Sequence, residues 1–573
     1  MAIIPDFLRP FIESYLEVLL LWFSDYVYEK LLPLFAEHPL LQAGALLAVD
    51  PLTAACADFH QHNGRGRPVV HPVSRLVRAL LVRYFYNLSL RETSALIRES
   101  IAVKYFVGYP LASRGVSHAT LSRFEQYVLT HHPRLFFDTV LAQLLDAFPA
   151  QCQQPHLADT FAVLADAQME TLIGRLRHGA ARLLLALHGQ EPAWLAQVTA
   201  QLVLADLLGR EGERREFLLN PAERQARLEA TTRQVWALLA LVEAGYCGTA
   251  AVRHCVRFLR DVLSKEVALT TDKAGAVLTV RMLREPQRGR FRPTSATDPD
   301  ATIRNHGKGK QDNGYNAHLL ATSDFIIEVQ ATTGSTPDAA GIVPLLAATA
   351  QHHHYRPQKL IYDQAAGDGQ TLAGVHQASE GQTQWVVKPV QRGKKKAGGR
   401  LGPLDCTLTS PGAPEMADTA PALVCPAGVS TTTRYRAGSN SGWTYRVAAE
   451  ACARCPLLLP CRGTSAPPTR HRQWYISDYR APLLAALDYA QTDDFKADMK
   501  LRPHVERIIA GLVLHNGARR ARFRGRPKVD FQLKMCAAVY NLKRWVVLTH
   551  PKKRRRTPRG SAAQAVLRLV AAG

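Results

Sequence analysis

Lys359-Leu-Ile-Tyr-Asp363-Gln-Ala-Ala-Gly-Asp368 is the stretch from which the fold can be read. The short apolar run Leu360, Ile361, Tyr362 stops at an acid and then at a glycine-bearing turn. That pattern predicts a buried strand whose C-terminal end presents Asp363 at a rim, where sites are built. A lone strand-end aspartate is more often a turn or helix-capping residue. Its meaning depends on which other carboxylates arrive beside it.

Working outward, 315–322 and 325–333 are β-rich runs separated by Ser323-Asp324, a hairpin signal. Thr336-Pro337-Asp338 supplies an N-cap, a first-turn proline and an acid before an apolar helix over 339–350. Beyond Asp363 follow a helix near 372–378 and a strand over 384–390. Upstream, Leu157-Ala-Asp159-Thr160-Phe-Ala-Val-Leu164 has strand character and carries an acid among apolar neighbours. Burying an ionised carboxylate is costly unless it is paired, hydrogen-bonded or metal-bound, and a bond to Thr160 or a nearby arginine is the plain explanation. The order of elements predicts an α/β fold, a mixed sheet covered by helices.

The chain of 573 residues is 47% hydrophobic, enough for several domains with substantial cores. Its 71 Lys and Arg against 48 Asp and Glu give a formal charge of +23, which favours a polyanionic partner, nucleic acid first. The most apolar early stretch, 15–23, is broken by Glu17 and is too short for a bilayer span, and no signal peptide is read. An intracellular location and no membrane partner are expected.

Residues 1–150 read as a helical domain, with Leu76, Leu80 and Tyr84 at helical spacing and Arg75, Arg78 and Arg83 on the same helix. Ser89-Leu-Arg91-Glu92 has capping-box spacing, and 117–125, with Thr120 and Arg123, resembles another helix start. Such helices suit a helix-turn-helix-like reader contacting DNA through Arg91 and Arg123, or equally a plain helical bundle with a basic face. Residues 151–390 hold the sheet, with a helical insertion at about 168–265 and a basic loop over 285–312.

Residues 391–475 are rich in Gly, Pro, Ser and Thr and read as an insertion, with a basic run at 392–396. Among the chain's ten cysteines, Cys425, Cys452, Cys455 and Cys461 fall here, two of them at the C-x-x-C spacing that lets sulfurs share a tetrahedral Zn²⁺. Free thiols are the alternative. Residues 476–548 return to helix: Arg502 and Glu506 lie four apart on one face, a surface ion pair if nothing joins them. After them Arg519, Arg520, Arg522 and Arg524 interleave with Phe523, and 549–573 form a basic tail.

Asp159, Asp363 and Glu506, in this order of elements, resemble the ribonuclease H-like catalytic core of DDE transposases from bacterial insertion sequences. Ala158-Asp159-Thr160 is similar to the first-strand motif of that family, 362–369 to its second-aspartate motif, and Arg502-x-x-x-Glu506-Arg507 to its arginine-then-glutamate helix. The Cys-Pro and Cys-x-x-Cys-Pro insertion and the ending from Arg522 to Arg544 resemble one branch of these enzymes. Met499 and Val513 stand where family members often carry tyrosine and lysine, and Asp166, Asp338 and Asp368 are the competing acids.

The resemblance implies catalysis and Mg²⁺ or Mn²⁺ binding by Asp159, Asp363 and Glu506, with phosphate contacts from Arg502 and Arg507. It also implies hydrolysis at transposon ends and strand transfer into double-stranded target DNA, by a homodimer or larger synaptic assembly in the bacterial cytoplasm at the nucleoid. A nuclease or resolvase on the same core, or a DNA-binding protein derived from an inactive transposase, are the alternatives.

Overall fold

The computed structural model describes residues 9–60, 69–189, 192–245, 248–273, 275–289, 291–305, 309–389, 401–409, 421–436, 441–464 and 468–551. The expected basic run at 392–396 and the tail beyond 551 lie outside them. The chain divides into two compact units, Met1–Glu125 with Val539–Gly573, and Gln126–Ala538.

The smaller unit carries α1 (Arg9–Leu31), α2 (Pro39–Leu46), α3 (Asp50–Ala55), α4 (Val73–Phe85), α5 (Leu90–Glu99), α6 (Ile101–Val107) and the start of α7 (His118–His131). Among the described residues no helix is long and apolar enough to cross a membrane. Leu76, Leu80 and Tyr84 of α4 are buried as their spacing predicts. Arg83 does not decorate the surface as expected. Its guanidinium is buried against the Glu125 carboxylate, which also accepts from the Tyr84 hydroxyl at 2.9 Å. Ser89 and Glu92 close the capping box that starts α5.

In the larger unit α8 (Leu135–Ala147) leads into β1 (His156–Leu164). The helical insertion follows as α9 (Leu172–His188), α10 (Pro192–Ala200), α11 (Leu204–Leu208), α12 (Pro221–Gly245) and α13 (Ala250–Glu266). It encloses an apolar core of its own, including Leu176, Leu183, Leu238 and Leu259. A hairpin absent from the sequence expectation follows, β2 (Val267–Thr271) and β3 (Val277–Met282), which packs Val267 and Val280 on that core and is otherwise largely exposed.

The main sheet is completed by β4 (Thr302–Asn305), β5 (Gln311–Ala321), β6 (Ile326–Thr333), β7 (Lys359–Ile361) and β8 (Gln384–Val386). Strand β5 pairs antiparallel with β1 along one edge and with β4 and β6 along the other, while β1, β7 and β8 run parallel. Helices α14 (Ile342–His353) and α15 (Gly369–Ala378) make the crossovers that parallel pairing requires. Thr336 does not cap α14 as expected: a 3₁₀ turn, Asp338–Gly341, intervenes, and no side chain caps it.

The Cys-rich segment contributes β9 (Thr407–Thr409), β10 (Ala422–Val424), β11 (Ser430–Thr431), β12 (Arg434–Tyr435), β13 (Gly442–Val447), α16 (Ala449–Ala453), α17 (Leu458–Arg462) and β14 (Arg472–Ser477) in two small sheets. The chain returns through α18 (Arg480–Tyr489), α19 (Asp493–Met499), α20 (Pro503–His515) and α21 (Arg526–Thr549).

Glu328 of β6 is fully buried, with Arg134 at 2.8 Å and Lys534 at 3.7 Å. Burial opposes its ionisation, but His353, Lys534 and Arg134 outweigh that and hold its pKa down at about 2. Glu328→Ala leaves the buried Lys534 and the mostly buried Arg134 without this anion and is expected to lower stability by about 3 kcal/mol, read from the urea midpoint. Because the folded pKa lies below the usual 4.5, the native contribution is present above that pH and is lost as pH falls toward 2.

Candidate active site

Strands β1 and β7 pair in parallel with Leu157 opposite Ile361. Two residues further along each strand direction come Asp159 and Asp363, so the register brings both acids to one face of the sheet, about one strand spacing apart. Two unit charges about 5 Å apart repel by roughly 3 kcal/mol at an effective dielectric of 20, so this placement needs a compensating cation.

Arg502 supplies it. Lying just before α20, the helix that packs on β1, it places Nη2 at 3.4 Å from Asp159 Oδ2 and 3.9 Å from Asp363 Oδ2, and Nη1 at 3.1 Å from Glu506 Oε1. One guanidinium thus gathers the three carboxylates that the sequence singles out from three distant segments. The i,i+4 pair of Arg502 and Glu506 is therefore more than a surface ion pair, and the Arg502 Nε is buried without a partner.

Local bonds fix the two aspartates. Asp159 Oδ1 accepts from the Thr160 N–H at 2.8 Å, and Asp363 Oδ1 from the Ala365 N–H at 2.9 Å, the latter closing the turn after β7. Burial pushes the Asp159 carboxyl up from its usual range. The Thr160 bond and Arg502 act against that shift, while the charges of Asp363 and Asp338 add to it.

Asp338 is the neighbour whose role sequence alone did not fix. Its Oδ1 accepts from Asn316 at 2.9 Å and Arg304 at 3.2 Å, and Arg304 also donates to Thr160 Oγ1 at 3.0 Å. Arg304 lay in what reads as a basic loop, and only strand pairing reveals that it points at this cluster. The other competing acids are accounted for: Asp368 caps α15 by accepting from Thr371, and Asp166 pairs with Arg524 at 3.4 Å.

Four carboxylates, Asp159, Asp338, Asp363 and Glu506, face two guanidiniums, Arg304 and Arg502. Fully ionised they leave a formal charge of −2 made of hard oxygen donors, a chemistry that suits a divalent cation such as Mg²⁺. Among the described residues no three His, Cys, Asp or Glu side chains are grouped ready to hold an ion. The acids converge on Arg502 instead.

The basic run after α20 is partly built into the core. Backbone bonds join Leu164 to Arg519 and Ala521, extending the end of β1, while Arg519 donates to the Ala162 carbonyl and Arg524 to that of Asp166. Arg507 faces solvent beside His504, and Arg520 is exposed. Arg522 is anchored through its N–H to Gln532. Arg91 and Arg123 are exposed on α5 and α7 of the smaller unit.

Residues 424–546 match the family model described as Transposase DDE domain, and residues 27–127 match Transposase domain (DUF772). Both matches support a DDE transposase of the insertion-element type. The DDE match takes in Cys425, Cys452, Cys455, Cys461, Arg502 and Glu506 but not Asp159 or Asp363, which only the fold brings beside Arg502. No curated protein and no solved structure matches the chain.

Because the folded-state pKa of Asp159 is raised, ionising it costs stability, and that cost is complete once pH exceeds the folded value. Asp159→Asn, which keeps the shape and removes the charge, is therefore expected to raise the melting temperature at neutral pH. A lowered melting temperature would mean that the Arg502 contact outweighs burial.

Proposed function

We propose that this transposase hydrolyses phosphodiester bonds at the ends of its element and joins the ends to double-stranded target DNA, with Asp159, Asp363 and Glu506 as its catalytic acids. The observation that carries the proposal is the single guanidinium of Arg502 reaching all three. The sheet order, with an antiparallel β6-β5-β1 edge running into parallel β1-β7-β8, supports a ribonuclease H-like core.

The donor set fits Mg²⁺ or Mn²⁺, held by Asp159 and Asp363 with Glu506 completing the site. Bound there, the metal supplies charge neutralisation at the phosphodiester and a lowered pKa for the attacking hydroxyl. The chain's own part is positional. Asp159 and Asp363 are fixed at neighbouring strand ends, Glu506 is the most exposed of the three and orients the nucleophile, and Arg502 turns from the acids to a phosphate oxygen when DNA enters.

Arg507, Arg519, Arg520, Arg522 and Arg524 extend the phosphate contacts along this unit. Arg91 and Arg123 serve the helical unit's own contact with the ends. Two copies hold the two ends of the element, in the bacterial cytoplasm. One observation favours a second reading, a DNA-binding protein derived from an inactive transposase: Arg502 occupies the position a cation would take among the acids.

A labelled duplex carrying the DNA ends that flank the gene, incubated with Mg²⁺ or Mn²⁺, separates these. The native chain is expected to cut and join it, and Asp363→Asn to lose both by at least about 100-fold. Cutting without joining makes the chain a nuclease. Salt-sensitive binding with no cutting by either protein overturns the catalytic assignment.

A further inference from the structure

Cys425, Cys452, Cys455 and Cys461 come from three separate segments, yet all four line one cavity of about 20 Å³, room for a single water-sized occupant. Its other walls are apolar apart from Arg472. Both ends of this thiol set are shaped by tight backbone turns. The Cys425 N–H donates to the Val429 carbonyl at 3.0 Å around Gly428, whose φ of +83° a side chain rarely adopts. The Cys455 N–H donates to the Cys452 carbonyl at 3.2 Å, and Cys461 follows on α17.

The surrounding core is small. Its buried members are Cys406, Leu423, Tyr445, Val447, Trp474 and Ile476, too few to stabilise so loop-rich a segment without a further staple. The wall of the cavity also holds a loose end. Trp474 is 2% exposed, and its indole N–H is buried with no partner, as is the Nε of Arg472, which stacks on that ring at 4.2 Å. Donors left over beside thiols are what thiolate ligands accept from.

We propose that Cys425, Cys452, Cys455 and Cys461 bind one structural Zn²⁺ that closes the Cys-rich segment. The thiols are not yet grouped at ligand distance among the described residues, so binding draws them inward, releases their protons, and leaves a dianionic centre offset by Arg462 and Arg472. The cavity's lining includes none of the acids Asp159, Asp363 and Glu506, and the proposal stands whether or not the chain transposes DNA.

Full-length chain purified without chelator is expected to carry about one zinc per molecule by elemental analysis. Exchange with Co²⁺ should give the intense visible bands of tetrahedral thiolate coordination. Four thiols should be shielded from a disulfide reagent until the metal is extracted. Cys425→Ser and Cys455→Ser should lose the metal, while Cys255→Ser, in the helical insertion, keeps it. Should the serine variants fail to fold, the cobalt spectrum and thiol count of the native chain decide alone. A chain that takes up no zinc when reconstituted with the metal, with thiols reacting alike in its presence and absence, overturns the proposal, as does zinc retained by both serine variants.

Discussion

The structure depends on keeping like charges together. Parallel register between β1 and β7 delivers Asp159 and Asp363 side by side, where their charges oppose one another. Arg502 does so from outside the sheet, and in doing so ties the start of α20 to two strand ends. Glu506, one turn into that helix, completes the set because i and i+4 share a face. The arrangement that a site needs is thus held by one cation, while burial first, and the neighbouring acids after it, keep the Asp159 carboxyl raised against the pull of Arg502.

Much of this was legible in the sequence because the signals were local. The apolar run ending at Asp363, the β-rich pair before it and the apolar strand around Asp159 each announced an element, and the structure has each one, with β7 shifted by one residue and β8 shorter than its expected run. The i,i+4 spacing of Arg502 and Glu506 was visible too. That the pair also reaches Asp159 and Asp363 was not, since these residues are joined only by strand register and helix docking across hundreds of positions.

What was missed shares a physical cause. Arg83 and Arg304 read as surface cations because sequence shows a charge and not its partner, and both prove to be held by carboxylates. Part of the basic run at 519–524 is likewise committed to carbonyls and acids of the core, so its charge is less free than its composition implies. The β2–β3 hairpin escaped notice although Leu278, Val280 and Met282 of β3 alternate with Thr279 and Arg281, because so short a run beside a long helical insertion carries little weight on its own.

Iron-mediated backbone cleavage tests the convergence of Asp159, Asp363 and Glu506 on a shared cation site most directly. Fe²⁺ with ascorbate and peroxide, substituting for Mg²⁺ in the full chain, should cut the polypeptide near residues 159, 363 and 506, with the cuts suppressed by excess Mg²⁺ and absent in Asp159→Asn. Scission at unrelated positions, or the same pattern in the variant, would contradict the account.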